Sequence, residues 1–287
     1  DWATPKGVDQ TAETSVDLVN NSFIVICLDN MEKIARVIGK KEDEILYATK
    51  KEQLQKKIHE VFFNESNNTY GTGTQIDLAF PMIAGVVPED RMKDVEKSFY
   101  KETEINRNGH FACGLVGIPV VTEWAIKNQA ADLMYSMLKK RDYPGYLYMI
   151  ANGATTTWEH WDGTRSHIHN CYNGVGSWFH QAIGGIRSSD DTPVYRRVRI
   201  QPQIPKGITW ANTFKETPLG KLSVKWILKD DQTMEIDLEI PVGMEAEVIL
   251  PVTVNQFLLE RKKHPLREGE ARTVELKSGK YKISYKE

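Results

Sequence analysis

The chain has 287 residues, enough for one or two domains with a buried core, and its 40% hydrophobic and 26% charged residues are those of an ordinary globular protein. A formal net charge of −2, with short Lys/Arg clusters interleaved with acids, leaves no basic face for a nucleic-acid backbone. No apolar run approaches the roughly 18 residues of a membrane span, so neither nucleic acid nor membrane is expected as a partner. Cys27, Cys113 and Cys171 are widely spaced without a CxxC pair; this implies neither a disulfide framework nor a thiolate zinc site, and all three are expected as small core residues. The start Asp1-Trp2-Ala3-Thr4-Pro5 is not a signal peptide, and localisation stays open between periplasm, exterior and cytoplasm.

The first predicted helix covers 11–38, where Val16, Val19, Phe23, Ile26, Cys27, Met31, Ile34 and Ile38 recur at three- and four-residue steps until Gly39. A second covers 42–63 and ends in a polar loop over 64–71. Shorter patterns follow at 75–87, 88–105 (with Pro88 in the first turn), 116–127, 129–140 and 175–186. Helices joined by short Gly/Asn/Pro segments predict stacked αα-hairpins. The polar, Pro-ended stretch 187–193 is the expected boundary between a helical domain, 1–187, and a second domain, 188–287.

Beyond it the apolar period changes to two: Leu222, Val224, Trp226 and Leu228, then Met234, Ile236, Leu238 and Ile240. Further strands are predicted at 197–203, 209–216, 245–250, 255–259, 272–277 and 281–285. Turn signals such as Lys229-Asp-Asp231, Pro241-Val-Gly243 and Glu268-Gly269 fall between them. The fold class is therefore multidomain α and β, with helical hairpins followed by an antiparallel β-sandwich.

One segment stands out, Gly153-Ala-Thr-Thr-Thr-Trp158-Glu159-His160-Trp161-Asp162-Gly163. A pyranose has weakly apolar C–H faces and a hydroxyl rim, so indole planes can hold the faces while carboxylates and imidazoles hold the rim and move protons. Glu159 is the leading catalytic candidate; the competing reading pairs it with Arg165 or a helix end while both tryptophans fill core. His167, His169 and Cys171 alternate like ligands on one strand face, but no fourth ligand is visible, and substrate-contacting or satisfied polar histidines are the better account. No Gly-x-Ser-x-Gly elbow or HExxH motif occurs. Of the other acids weighed as partners for Glu159, Asp77 and Glu123 read as helix-surface charges, Asp190 and Asp191 as a loop, and none stands out as a general acid.

At these residues the chain resembles the C-terminal part of bacterial α-L-rhamnosidases of glycoside hydrolase family 78. The resemblance rests on Gly153-Ala-Thr-Thr-Thr-Trp-Glu-His-Trp-Asp162, on Ser166-x-x-His169 with Tyr172-Asn-Gly-Val-Gly-Ser-Trp178, and on Ile200-Gln-Pro202. Asp1-Trp2, the 109–117 segment and Tyr143-Pro144-Gly145-Tyr146 support it. It implies part of an (α/α)6 barrel followed by a β-sandwich, and inverting hydrolysis of terminal α-L-rhamnosides by an acid and a base. It gives Glu159 the base role and His169 a contact with the sugar, with Trp158, Trp161, Asp162, Trp2 and Asp1 in or beside the same pocket. No cofactor is expected, and the spacing of His167, His169 and Cys171 gives no metal site. The family's general acid belongs to an upstream acidic segment with a Gly-Trp-Thr-Gly-Asp signature, which this sequence lacks, and the predicted helices are about half of a barrel. The chain therefore reads as a piece that begins inside the catalytic domain, expected to associate with the remainder or with itself. The expected substrate is a rhamnose-containing glycoside or polysaccharide. The alternatives are a non-catalytic carbohydrate-binding fragment, another exo-acting glycosidase, or a polysaccharide lyase on a helical barrel.

Overall fold

A computed structural model describes residues 1–9, 11–189, 195–267, 269 and 271–286. They form two compact units, Asp1–Asn128 with Leu133–Val175, and Gln129–Asp132 with Gly176–Glu287. Residues 190–194, which hold Asp190, Asp191 and most of the expected boundary, lie outside the described residues, as does Glu268 of one expected turn.

In the first unit α1 (Glu13–Val37) and α2 (Lys41–Phe62) make an antiparallel hairpin. The joint is short because Gly39 adopts φ +73°, which lets the Lys40 amide return to the Ala35 carbonyl at 2.8 Å. The inner face of α1 buries Ser15, Leu18, Val19, Ser22, Val25 and Ala35. Phe23, Ile24, Met31, Ile34 and Ile38 lie outside this face and are exposed, as is Cys27, which corrects the expectation that every cysteine is core. The polar stretch after α2 contains a two-residue hairpin, β1 (Phe63–Asn64) with β2 (Thr69–Tyr70).

Helix α3 (Gln75–Ile83) is buried along nearly its whole length. Asp77, expected on a helix surface, is fully buried there. Its carboxylate accepts from the Ser15 hydroxyl at 2.6 Å and from the Thr72 amide and hydroxyl at 2.8 and 2.7 Å, so it ties α1 to the start of α3. Helix α4 (Glu89–Tyr100) starts after Pro88 and runs into a π-helical turn, Lys101–Asn106. Helix α5 (Gly117–Lys127) is the most enclosed apolar helix after α3. Helix α6 is Ala131–Leu138, and α7 (Tyr146–Ala151) was not foreseen, because six residues are too few to show a helical period.

The second unit opens with a short helix, α8 (Gly176–Trp178), that continues as a π-helical turn, Phe179–Ile183. The predicted helix over 175–186 stops there because Gly185 has φ +72° and a Cβ on it would lie 2.3 Å from the Pro202 nitrogen. Strands β3 (Ile186–Ser188), β4 (Arg197–Ile200), β8 (Glu245–Ile249) and β11 (Thr273–Leu276) form a sheet in the order β11-β8-β4-β3. The other sheet has the order β10-β9-β12-β7-β6-β5. It comprises β5 (Trp210–Thr217), β6 (Gly220–Leu228), β7 (Thr233–Ile240), β9 (Gln256–Leu259), β10 (Lys262–Pro265) and β12 (Gly279–Lys286). All pairings are antiparallel except β4 with β8, which is parallel. Register places Trp226 opposite Ile236 and Ile236 opposite Ile283, so the period-two residues share one buried face. The Trp226 indole N–H donates to the Ile183 carbonyl at 2.7 Å, which satisfies the one polar atom that ring brings into the core.

Candidate active site

The Thr-rich segment leaves α7 at Gly153 (φ +88°) and folds back on itself as a long loop in the first unit. Its two arms are stitched by the His169 amide to the Thr157 carbonyl and by the Glu159 amide to the Ser166 carbonyl, both 2.9 Å. At the tip the Asp162 carboxylate accepts from the Thr164 amide and hydroxyl at 3.1 and 2.7 Å, an Asx turn. That hydroxyl bond is the main reason the Asp162 carboxyl is held below its usual range. Gly163 takes φ +77° under the Trp158 ring, where a Cβ would come within 2.9 Å of the indole.

Glu159 sits at the neck of this loop. Its carboxylate accepts from the Ser166 amide at 3.1 Å, its side chain is 13% exposed, and the guanidinium of Arg165 stands 3.7 Å away. Arg165 is 67% exposed, so that ion pair is long and open to water and contributes little. The Glu159 charge is felt by the neighbouring Cys171 thiol, which burial first and this carboxylate second push up to about 11. Glu159 is thus held by the backbone of its own loop and keeps a lone-pair side free of any short hydrogen bond among the described residues.

The two tryptophans beside it face inward. Trp161 is 1% exposed, stacks on Tyr172 with ring centroids 4.0 Å apart, and donates its N–H to the Cys113 carbonyl at 2.9 Å. Trp158 is 5% exposed and stacks on His167 at 4.8 Å. Both rings build the floor and the tip of the loop, and neither presents an open face to a sugar.

The open indole is that of Trp2, 36% exposed. Asp1 holds it there: its carboxylate accepts from the amides of Gly114, Val116 and Gly117 at 2.7, 3.0 and 3.3 Å, at the N-terminus of α5, and from Trp2 at 2.9 Å. The Trp2 carbonyl in turn accepts from Leu115 at 2.8 Å, and a Cβ on Gly114 would lie 1.8 Å from that oxygen. Asp1 is therefore occupied with backbone, while the Trp2 ring lies 6.0 Å from His169 and 5.6 Å, edge-on, from His160. His169 Nδ1 and His160 Nε2 are buried with no hydrogen-bond partner among the described residues. Buried polar atoms are almost always paired, so two unpaired nitrogens beside the Trp2 ring set this place apart from an ordinary core. His160 was not singled out by sequence, though its place next to Glu159 in the loop was the available signal. Among the described residues no three His, Cys, Asp or Glu side chains converge as a metal site.

Comparison with known proteins matches the chain to one family. Residues 1–183 match the profile described as the bacterial alpha-L-rhamnosidase 6 hairpin glycosidase domain, and 185–264 match the bacterial alpha-L-rhamnosidase C-terminal domain. An alpha-L-rhamnosidase of Alteromonas sp. (strain LOR) is 25% identical over 99% of this chain and 32% of its own length. One of Formosa agariphila is 26% identical over 90% of this chain and 29% of its own. The chain thus spans about a third of the length of the curated relatives it matches. The solved alpha-L-rhamnosidase from Dictyoglumus thermophilum has a TM-score of 0.89 at 22% identity, covering 100% of this chain and 34% of that one. That of Streptomyces avermitilis, complexed with L-rhamnose, has a TM-score of 0.87 at 22% identity, covering 99% and 28%. With the helical unit and the β unit each matched by its own profile, the chain belongs to the bacterial alpha-L-rhamnosidase family.

Proposed function

We propose that this chain supplies the general base and part of the sugar pocket for inverting hydrolysis of terminal α-L-rhamnosides. The observation that carries the reading is Glu159, a carboxylate clamped through one oxygen by the Ser166 amide beside buried, unpaired imidazole nitrogens and the open Trp2 ring. In this reading Glu159 takes a proton from water as the water attacks the anomeric carbon, and the aglycone leaves from the opposite face with a proton from an acid outside this chain. Trp2 covers a C–H face of the rhamnose, and His169 and His160 bond its hydroxyls. Asp1 acts through Trp2 as a positioning residue, and Trp158, Trp161 and Asp162 act by shaping the loop that carries Glu159. The substrate is a rhamnose-containing glycoside or polysaccharide. The exposed apolar residues of α1 are covered by further helical hairpins or by a second copy of the chain.

The test compares the chain with its Glu159→Gln variant on an aryl α-L-rhamnoside, whose acidic phenol leaves with little help from a general acid. Loss of a proton acceptor should lower turnover by about 10²–10⁴ with unchanged circular dichroism, and NMR should show the β-anomer as first product. Full turnover by the variant would remove Glu159 from the base role. Rhamnose binding by the chain without turnover of any rhamnoside would make it a carbohydrate-binding unit instead.

A further inference from the structure

Strand β5 is an edge of the six-stranded sheet in the β unit. Its residues Ala211 and Thr213 are buried and alternate with Trp210, 66% exposed, Asn212, and Phe214, 51% exposed. Trp210 and Phe214 therefore stand on the outer face of the sheet, about 13 Å apart along the strand, further than one pyranose ring reaches. The Lys221 ammonium stands over the Phe214 ring at 4.3 Å, whereas the Trp210 indole has no ring contact or hydrogen bond among the described residues.

Register carries this face across the sheet. Asn212 and Phe214 lie opposite Lys225 and Ser223 of β6, these lie opposite Asp237 and Glu239 of β7, and those opposite Lys282 and Lys280 of β12. An open cavity of about 340 Å3 lies on the β6, β7 and β12 side of the face. Its lining sets Lys225, Lys280 and Lys282 against Asp237, Glu239 and Glu260, so it has no net charge. The pairs Lys282–Asp237 and Lys280–Glu239, at 3.3 and 3.2 Å, are open to water and weak, so their donors and acceptors can turn to a ligand at little cost. Ser223 and Lys225 make no side-chain hydrogen bond or ion pair among the described residues.

We propose that this outer face is a non-catalytic saccharide site that holds a neutral polysaccharide chain, with Trp210 against one pyranose ring, Phe214 beside another unit, and the cavity side chains on their hydroxyls. The site is independent of the role of Glu159; only the choice of rhamnose as its sugar rests on the rhamnoside reading. Two rings separated by a polar residue suit a chain of units with apolar C–H faces and hydroxyl rims, and donors and acceptors in equal supply suit hydroxyls, which both give and take hydrogen bonds. Charge balance disfavours an acidic chain, which would leave the three carboxylates facing like charge. A protein partner fits less well, because the centres of protein interfaces are depleted in the Lys, Asp and Glu side chains that fill this one.

NMR titration of the chain with an α-linked L-rhamnotetraose tests it, in an excess of methyl 1-thio-α-L-rhamnoside that occupies the site around Glu159. Amide shifts should move in β5, β6 and β7. Affinity should fall about tenfold in Trp210→Ala, the worth of one covered indole face, and about two- to tenfold in Asp237→Ala, the worth of one net hydrogen bond. Both side chains are exposed, so circular dichroism should stay that of the parent. No shift in these strands, or an affinity that both substitutions leave unchanged, would overturn the site. Trigalacturonate bound as tightly would overturn the neutral class. A fall in sedimenting mass on Trp210→Ala would make the face a contact between copies and overturn the proposal. Turnover of the aryl rhamnoside tests the rhamnoside reading on its own, so the two fail separately.

Discussion

Trp161 is where sugar recognition and core packing make opposite predictions. In Trp161→Phe the side chain loses three heavy atoms from a fully buried ring stacked on Tyr172, worth roughly 0.8 kcal/mol each, or about 2 kcal/mol together. It also loses the N–H that reaches the Cys113 carbonyl, and an orphaned buried acceptor costs about 1–3 kcal/mol more. The expected loss is about 3–5 kcal/mol, which for a unit of this size lowers its melting temperature by about 6–20 °C. Thermal denaturation followed by near-ultraviolet circular dichroism reports the change, and titration with methyl 1-thio-α-L-rhamnoside below the transition reports affinity. A ring that only floors the loop gives a large fall in melting temperature and little change in affinity while the protein stays folded. A melting temperature within about 2 °C of the parent, together with weaker sugar binding, would refute the packing argument and return Trp161 to the pocket wall.

Removing the Asp1 carboxylate (Asp1→Ala) strips charge-assisted bonds from three amides at the start of α5 and from that of Trp2; about 2–3 kcal/mol should be lost and the amides of Gly114 and Val116 should exchange faster with deuterium, and unchanged exchange would count against the cap. Burial pushes the Cys113 thiol up to about 12 and, with the Glu159 charge as the second cause, Cys171 up to about 11, whereas Cys27 is exposed. Native protein should therefore take one iodoacetamide by mass spectrometry and three after unfolding; a second native adduct contradicts this. The sign of the pH effect follows from the native state keeping both protons. The contribution of these two thiols to stability is fully present below about pH 9 and is lost as pH rises toward 11–12, because the unfolded chain ionises there and the native chain does not. The exposed apolar residues on α1 should drive association, so sedimentation should report species heavier than 32.8 kDa, and Phe23→Lys with Ile34→Lys should restore the single-chain mass; a monomeric parent chain removes that expectation.

The elements readable from the sequence were those whose periodicity is long. Helices α1 and α2 and strands β6 and β7 carry several turns or several alternations each, and their observed bounds lie within a few residues of the predicted ones. What was missed is short or polar: α7 has six residues, β3 has three, and β10 is Lys-Lys-His-Pro with no apolar alternation. The parallel pairing of β4 with β8 was also out of reach, since a strand's own pattern does not record the direction of its neighbour. The apolar positions of α1 marked a helix correctly. They did not tell which face packs in this chain, because Val19 and Phe23 satisfy the same period and only Val19 is buried.

The candidate site shows a different limit. Residue type nominated Trp158 and Trp161 because indoles hold sugars, but indoles also fill cores, and the choice depends on what stands behind each ring. Behind Trp161 are Tyr172 and the Cys113 carbonyl, contacts that no local pattern encodes. The open ring belongs to Trp2, and it reaches the loop only because Asp1 bonds the amide of Gly114, 113 residues along the chain, where a side chain on either Gly114 or Gly117 would collide with the first two residues. Asp1, read as a residue beside the sugar, and Gly114 and Gly117, given no role by the sequence, thus act together to set the geometry between Trp2, His160 and His169. A substitution at Gly114 or Gly117 should then disturb sugar binding through Trp2 without touching any atom the sugar meets, which is a dependence that only the folded chain makes visible.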